Sequence, residues 1–355
     1  MSDLKEKLVQ TPLREDSGAR TTARFRYQAL FGMALILERH VLDGDYAVVF
    51  EFHDDVAVFN SSSEPTSVRF YQVKTKGSGE WTHASLTGQR KSKKSDSMLP
   101  SIIGKMYDNV VAFGDTVEAT TFVSNAPMKF SQNKAKFCLE ECTVDDLGKL
   151  KAKLEAQFPN ESVIRTDLIH FRRSDLSLED MDTHAKGKLE AFVAAQLGEV
   201  SFSVSALFTA VADECTRKSR ATSELSDFDE VVRDRGVTRN DAENWIATVS
   251  EVVDCPNWEV IAPQLTLPVL EVVKIGRHWG AYRVEVLNPN EATRRVRRKI
   301  SKLLDEEQYQ LLGLTDLVDQ VNGSVAEYAQ QELALISTER IKAMVLYETY
   351  TNKEA

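Results

Sequence analysis

Five residues between positions 51 and 74 have the types and spacing of a hydrolytic metal site. Glu51 stands in the β-rich run Tyr46-Ala-Val-Val-Phe-Glu-Phe52, Asp54 and Asp55 follow in a polar turn, and Gln72 and Lys74 end the run Val68-Arg-Phe-Tyr-Gln-Val-Lys74. Side chains alternate along a strand, so Gln72 and Lys74 share a face. If a hairpin carries Asp55 to the end of that strand, a carboxylate, an amide oxygen and an ammonium converge. Hard oxygen donors of this kind hold Mg²⁺ or Mn²⁺, which offsets charge on a scissile phosphate and acidifies a bound water. A lysine beside the ion can orient that water and stabilise charge building on the phosphate oxygens. The spacing alone suits equally well polar residues on a half-exposed strand.

The elements that must position these residues are legible. Gly18 to His40 is Pro-free, and Phe25, Ala29, Met33, Ile36 and Leu37 recur at helical spacing, which predicts a long amphipathic helix. Three strands with short connections follow, at 46–52, 56–59 and 68–74. A second helix is expected over 99–113, with Ile102, Ile103, Met106, Val110 and Val111 on one side, then a fourth strand over 118–123. A helix between the third and fourth strands permits a parallel crossover, so the sheet is expected to be mixed. Beyond residue 143 the pattern turns helical and acidic, with β character expected only over 258–273 and 282–286. The fold class read from this order is α/β, an αβββαβ core with a mixed sheet followed by a mostly helical C-terminal region. The expected divisions are 1–17, a flexible N-terminus; 18–142, the core; 143–250, a helical extension; and 251–355, an α(+β) assembly module.

Composition bounds the partners. The chain has 355 residues and a net charge of −10, which argues against a basic coat on nucleic acid. The charge is uneven: residues 1–100 hold 14 Lys and Arg against 13 Asp and Glu, leaving −11 for the rest. An anionic substrate is therefore expected to meet the first third, through Arg20, Arg24 and Arg26 near the start of the first helix and through Arg90, Lys91, Lys93 and Lys94 beyond the third strand. An ordinary solvated loop is the other reading of the second group. The cluster Arg294-Arg-Val-Arg-Arg-Lys299 on a helix suggests DNA passing nearby or an acidic protein surface. The apolar stretch from Ala29 to Leu37 is about half what a bilayer needs, and Met1 to Lys5 lacks the apolar core of a signal peptide, so a cytoplasmic protein without a membrane partner is expected. Four cysteines make no disulfide framework; Cys138 and Cys142 lack the second half of a zinc site.

The order helix, Glu51, Asp54-Asp55, Phe70-Tyr71-Gln72-Val73-Lys74 resembles the PD-(D/E)xK nuclease superfamily in the QxK variant shared with Mrr-like restriction enzymes. More closely, Asp16-Ser17-Gly18, Phe25-Arg26-Tyr27-Gln28, Glu51 to Val56 and Tyr71 to Lys76 resemble the double-stranded DNA endonuclease domain of bacterial antiphage effectors, over residues 12–130 and more loosely to 240. The resemblance implies a restriction-endonuclease-like core and Mg²⁺-dependent cleavage of double-stranded DNA. It implies Asp55 as the metal-binding acid with Asp54 as the alternative, Gln72 in the place usually held by Asp or Glu, Lys74 as the catalytic lysine, Glu51 as an extra ligand, Gln28 as a polar residue facing the site, and Lys76 as a DNA contact. Gln72 is the departure, since a neutral amide weakens the hold on a divalent ion.

Family architecture also bears on partners. A cyclic-oligonucleotide sensor, as in CD-NTase-associated effectors, needs more than the roughly 110 residues that remain, so a HerA-like hexameric ATPase is the expected partner and nucleotide signalling the alternative. A catalytically inactive DNA-binding or scaffold subunit is the third reading. Self-association is expected because sites that cut both strands generally come in pairs. No Gly-rich nucleotide loop occurs.

Overall fold

The computed structural model describes residues 17–92, 97–222 and 226–351, with side chains from residue 21 onward. Helix α1 (Ser17–His40) leads into β1 (Ala47–Phe52), β2 (Asp54–Phe59) and β3 (Val68–Val73). The short α2 (His83–Thr87), a small ribbon of β4 (Arg90–Lys91) and β5 (Met98–Leu99), α3 (Ile102–Phe113) and β6 (Val117–Ser124) follow. Next come β7 (Lys136–Cys138), α4 (Val144–Gln157), β8 (Ile169–Arg173), α5 (Met181–Leu197), α6 (Val204–Ser219), α7 (Phe228–Arg235), β9 (Gly236–Thr238) and α8 (Arg239–Asp254).

The strands other than the ribbon form one seven-stranded sheet in the order β7-β8-β6-β3-β2-β1-β9. Neighbours β1, β2 and β3 are antiparallel, whereas β3, β6 and β8 run parallel, so the mixed α/β sheet expected from the crossover is present. Ala47 to Phe50 are buried on both faces, as an interior strand requires. On one face α3 lays Met106, Tyr107 and Val110 against Phe70, Phe122 and Phe171. On the other, α1 buries Tyr27 and the run from Ala29 to Leu37. Gly32 is required at the centre of that helix, because a Cβ there would collide with the Phe50 ring. The guanidinium of Arg239 closes the end of α1, donating to the carbonyls of His40, Leu42 and Gly44.

The chain divides into two compact units, one of residues up to 188 with 212–242, the other of 189–211 with 243–355. The second unit is helical: from α8 the chain continues into α9 (Trp258–Ile261), α10 (Val269–Glu285), α11 (Glu291–Leu304), α12 (Glu307–Gln310), α13 (Leu314–Glu332) and α14 (Thr338–Thr351). Helix α14 is buried all round from Ile341 to Glu348, as the centre of a bundle must be.

Two expectations are corrected here. Neither stretch holds a strand: 258–273 contains α9, a 3-10 turn over Ala262–Gln264 and the start of α10, and 282–285 end α10, where Ile275, Trp279, Tyr282 and Val286 bury one stripe that outweighs the β-branched alternation of Tyr282-Arg-Val-Glu-Val286. The extension 143–250 is not wholly helical: β8 lies beside β6, and β9 pairs Val237 with Val48 on the far edge.

Candidate active site

The β1–β2 hairpin and the end of β3 build the site. Register pairs Phe50 with Val56 and Phe52 with Asp54, which sets Glu51 opposite Asp55. Glu51 and His53 both take the left-handed backbone, at φ 49° and 62°, in a turn without glycine. Such residues cost about 1–3 kcal/mol each and persist only when surrounding contacts hold them. Those contacts are visible. Arg235, at the end of α7, donates to the Glu51 carbonyl at 2.5 Å. Asn109 of α3 donates to the His53 carbonyl at 3.3 Å and to the Asp54 carboxylate at 3.4 Å. The His53 ring itself packs edge-on to Phe52 and Phe113, a structural role.

Asp55 is the point of convergence. Its Oδ2 accepts from Gln72 Nε2, from the backbone N–H of Val73 at 2.7 Å and from Lys74 Nζ at 3.2 Å. Gln72, buried at 8% exposure, also donates to Asp54 Oδ1 at 2.9 Å, and that oxygen accepts the Asp55 N–H at 2.9 Å. The backbone N–H of Lys74 is anchored to the Val123 carbonyl of β6 at 2.9 Å, so the lysine sits where the parallel strands end. Asn125 grips the loop beyond it, accepting the Lys76 N–H and donating to the Lys76 carbonyl.

The site holds more negative charge than its single ammonium answers. Burial, and then the charge of Asp55, push the Asp54 carboxyl up to about 7. Glu51 is likewise raised to about 7, by burial first and Asp55 next, against the pull of Lys74 and Arg235. A divalent cation would relieve this crowding, and the donors suit a hard ion: the Asp55 carboxylate, the Glu51 or Asp54 carboxylate, and the Gln72 amide oxygen after a half-turn of the amide. Among the described residues no group of three or more His, Cys, Asp or Glu is placed to ligate a metal, so an ion held here would need the amide oxygen and water beside the carboxylates.

The remaining candidates separate. Gln28 makes no hydrogen bond to the cluster, and its amide oxygen is buried without a partner. Arg24 is exposed on α1, but Arg26 is held by Asp182 at 3.1 Å and by Thr216. Lys76 lies over the Trp81 ring, 4.2 Å from its centroid, and donates to the Glu80 carbonyl. Arg90 and Lys91 are exposed on the β4–β5 ribbon; Lys93, Lys94 and the Arg20 side chain lie outside the described residues. In the second unit, Arg295 and Arg298 pair with Glu332 and Glu291, and Arg297 with Glu251 and Glu348. Most of the 294–299 cluster is thus answered by this chain's own acids. Asn109 and Arg235 were missed: Asn109 could have been noticed as a polar residue on the apolar side of its helix, whereas Arg235 carried no local signal.

Comparison with known proteins places this geometry. Over 235 residues the chain is 26% identical to the Lamassu protein LmuA of Bacillus cereus (strain VD014), covering 64% of this chain and 63% of that relative. No solved structure matches it. Residues 16–219 match the family described as "Cap4, dsDNA endonuclease domain", a span that contains Glu51, Asp54, Asp55, Gln72 and Lys74 and ends before β9. The chain belongs to the Cap4 double-stranded DNA endonuclease domain family.

Proposed function

We propose that the chain is a Mg²⁺-dependent DNA endonuclease of a bacterial antiphage system, cutting at Asp55, Gln72 and Lys74. The observation that carries this is the meeting of Gln72, the Val73 N–H and Lys74 on one oxygen of Asp55. When bound, Mg²⁺ (or Mn²⁺) supplies charge neutralisation at the scissile phosphate and a more acidic water. The chain's own part is positional. The Val73 N–H and the Gln72 amide fix the Asp55 carboxylate, and the anchored backbone of Lys74 holds its ammonium where it can donate to the attacking water or to a phosphate oxygen. Arg24 and Arg90 are exposed cations available to DNA phosphates, and Lys91 is exposed beside Arg90, each contact steepening the salt dependence of binding by a slope of about −0.9.

The defence role rests on the family and on the likeness to a Lamassu protein. Self-association and a HerA-like ATPase partner belong to the same proposal and rest on family architecture and on the helical second unit. Among the described residues no helix is long and apolar enough to cross a membrane. Lys74→Ala tests the catalytic core: linearisation of plasmid DNA in Mg²⁺ is expected to fall by at least about a hundredfold, with folding and DNA retention unchanged. A Lys74→Ala protein that cuts at the wild-type rate removes the site assignment, whereas a wild-type protein that binds DNA and does not cut it in Mg²⁺ leaves the DNA-binding subunit reading in its place.

A further inference from the structure

The face of the sheet turned away from Gln72 carries a second polar site. Alternation puts Arg69 and Tyr71 of β3 on that face, and register continues the row through Thr121 of β6 to His170 of β8, with Arg172 two residues on. A face covered by a helix in an α/β sheet is ordinarily apolar. Here the polar row floors a cleft of about 370 Å³ beneath the C-terminal turns of α1, within the range of small-molecule sites. Phe59, at this end of β2, is four residues from Asp55, about 13 Å along the strand at ~3.4 Å per residue.

The cleft is cationic. Arg39, Arg69, Lys136 and Arg172 face two carboxylates, Glu38 and Glu118, a surplus of two positive charges. Arg69 is paired with Glu118 at 2.7 Å, and Arg172 with Glu38 at 2.5 Å. Arg39 has no ion-pair partner among the described residues. Arg172 is 8% exposed, and its buried Nε has no hydrogen-bond partner, an unusual state for a guanidinium held inside a protein. Leu35, Leu42 and Phe137 supply apolar wall beside these charges. A doubly charged head with a flat, largely apolar body matches both halves.

We propose that this cleft binds a nucleoside monophosphate. The phosphate meets Arg39 and, at the rim, Lys136, while both terminal nitrogens of Arg172 stay on Glu38 and keep that wall of the cleft rigid, and the nucleoside lies against the apolar wall. This is separate from the reading of Asp55 and Lys74, which occupy the other face.

Isothermal titration of the full chain with deoxyadenosine monophosphate, deoxyadenosine and inorganic phosphate tests it. The nucleotide is expected to bind saturably with a Kd below about 1 mM, and each half alone at least about tenfold more weakly. Arg39→Ala and, on the exposed rim, Lys136→Ala are each expected to weaken the nucleotide by several-fold to about tenfold while thermal stability holds. Lys74→Ala is expected to bind it like the wild type. Absence of saturable binding at about 1 mM overturns the proposal, as does wild-type affinity in both cleft variants. Equal affinity for phosphate alone or deoxyadenosine alone removes the ligand class, and loss of binding in Lys74→Ala relocates the ligand to the carboxylate site.

Discussion

Replacing Gln72 by glutamate restores the acid usual at this position and measures the charge balance of the site. Gln72 is 8% exposed and donates to both Asp54 and Asp55, so Gln72→Glu exchanges two donations for a fourth carboxyl among three. Without metal, burial and the neighbouring carboxyls push the new group up, as they push Glu51 and Asp54 up to about 7. Raising a glutamate from its usual ~4.3 to about 7 costs close to 4 kcal/mol, at 1.36 kcal/mol per unit. A carboxyl raised in the folded state costs nothing below its unfolded value, so the variant matches wild type near pH 4 and falls behind as pH rises to neutrality. At roughly 2–4 °C per kcal/mol, the midpoint drops by about 8–16 °C in EDTA at neutral pH. Mg²⁺ at a hundred times its Kd returns about 2.7 kcal/mol, so the variant's midpoint rises with Mg²⁺ far more than the wild type's. Thermal denaturation with EDTA or Mg²⁺, at about pH 5 and 7.5, reads both arms. Equal midpoints in EDTA at neutral pH, or equal Mg²⁺ shifts in the two proteins, refute the reasoning.

Arg235→Met removes the charge-assisted bond to the Glu51 carbonyl, so plasmid cleavage is expected to fall about tenfold or more while DNA affinity stays within twofold; a matching fall in affinity would point to a DNA contact instead. Arg297→Met strands Glu348, 7% exposed, and is expected to cost about 3 kcal/mol by denaturant titration, whereas Arg298→Met, exposed and paired only within its own helix, costs under about 0.5 kcal/mol. Burial works against the charge on Asp45, but the Ser62 N–H, the Ser62 hydroxyl and Ser61 outweigh it and hold the carboxyl below its ordinary value. Its stabilisation is present above the unfolded value and is lost as pH falls through the folded one. Asp45→Asn is therefore expected to cost about 1 kcal/mol at neutral pH and nothing in strong acid, read from urea midpoints across pH.

The core of the fold was legible because each of its elements obeys one period. α1 repeats its apolar residues at helical spacing, and Val68 to Lys74 alternates, which also put Gln72 and Lys74 on one side. Two late strands escaped. β8 and β9 are five and three residues long, set among charged residues, and become strands only through pairing with distant partners, β8 between β6 and β7 and β9 on the edge of β1. Tyr282 to Val286 misled for the opposite reason, since β-branched residues in a helix read locally as a strand. Within the site, Asp55, Gln72 and Lys74 could be aligned from alternation and one hairpin, but the braces could not. Arg235 reaches Glu51 from far along the chain, and no local pattern encodes that. Positive charge in the sequence did not tell which cations the fold engages: Arg26, Lys76 and Arg297 meet Asp182, Trp81 and Glu348.

The brace from Arg235 has a consequence during synthesis. It spans 184 residues, and β9, which covers the open edge of β1, follows it immediately. At about 5–20 residues per second, a ribosome needs roughly 10–40 s after completing the hairpin before Arg235 is made. Through that interval the nascent chain carries its candidate carboxylates on a hairpin whose left-handed residues lack one of their two supports. The candidate site thus reaches its final geometry only after most of the domain has left the ribosome.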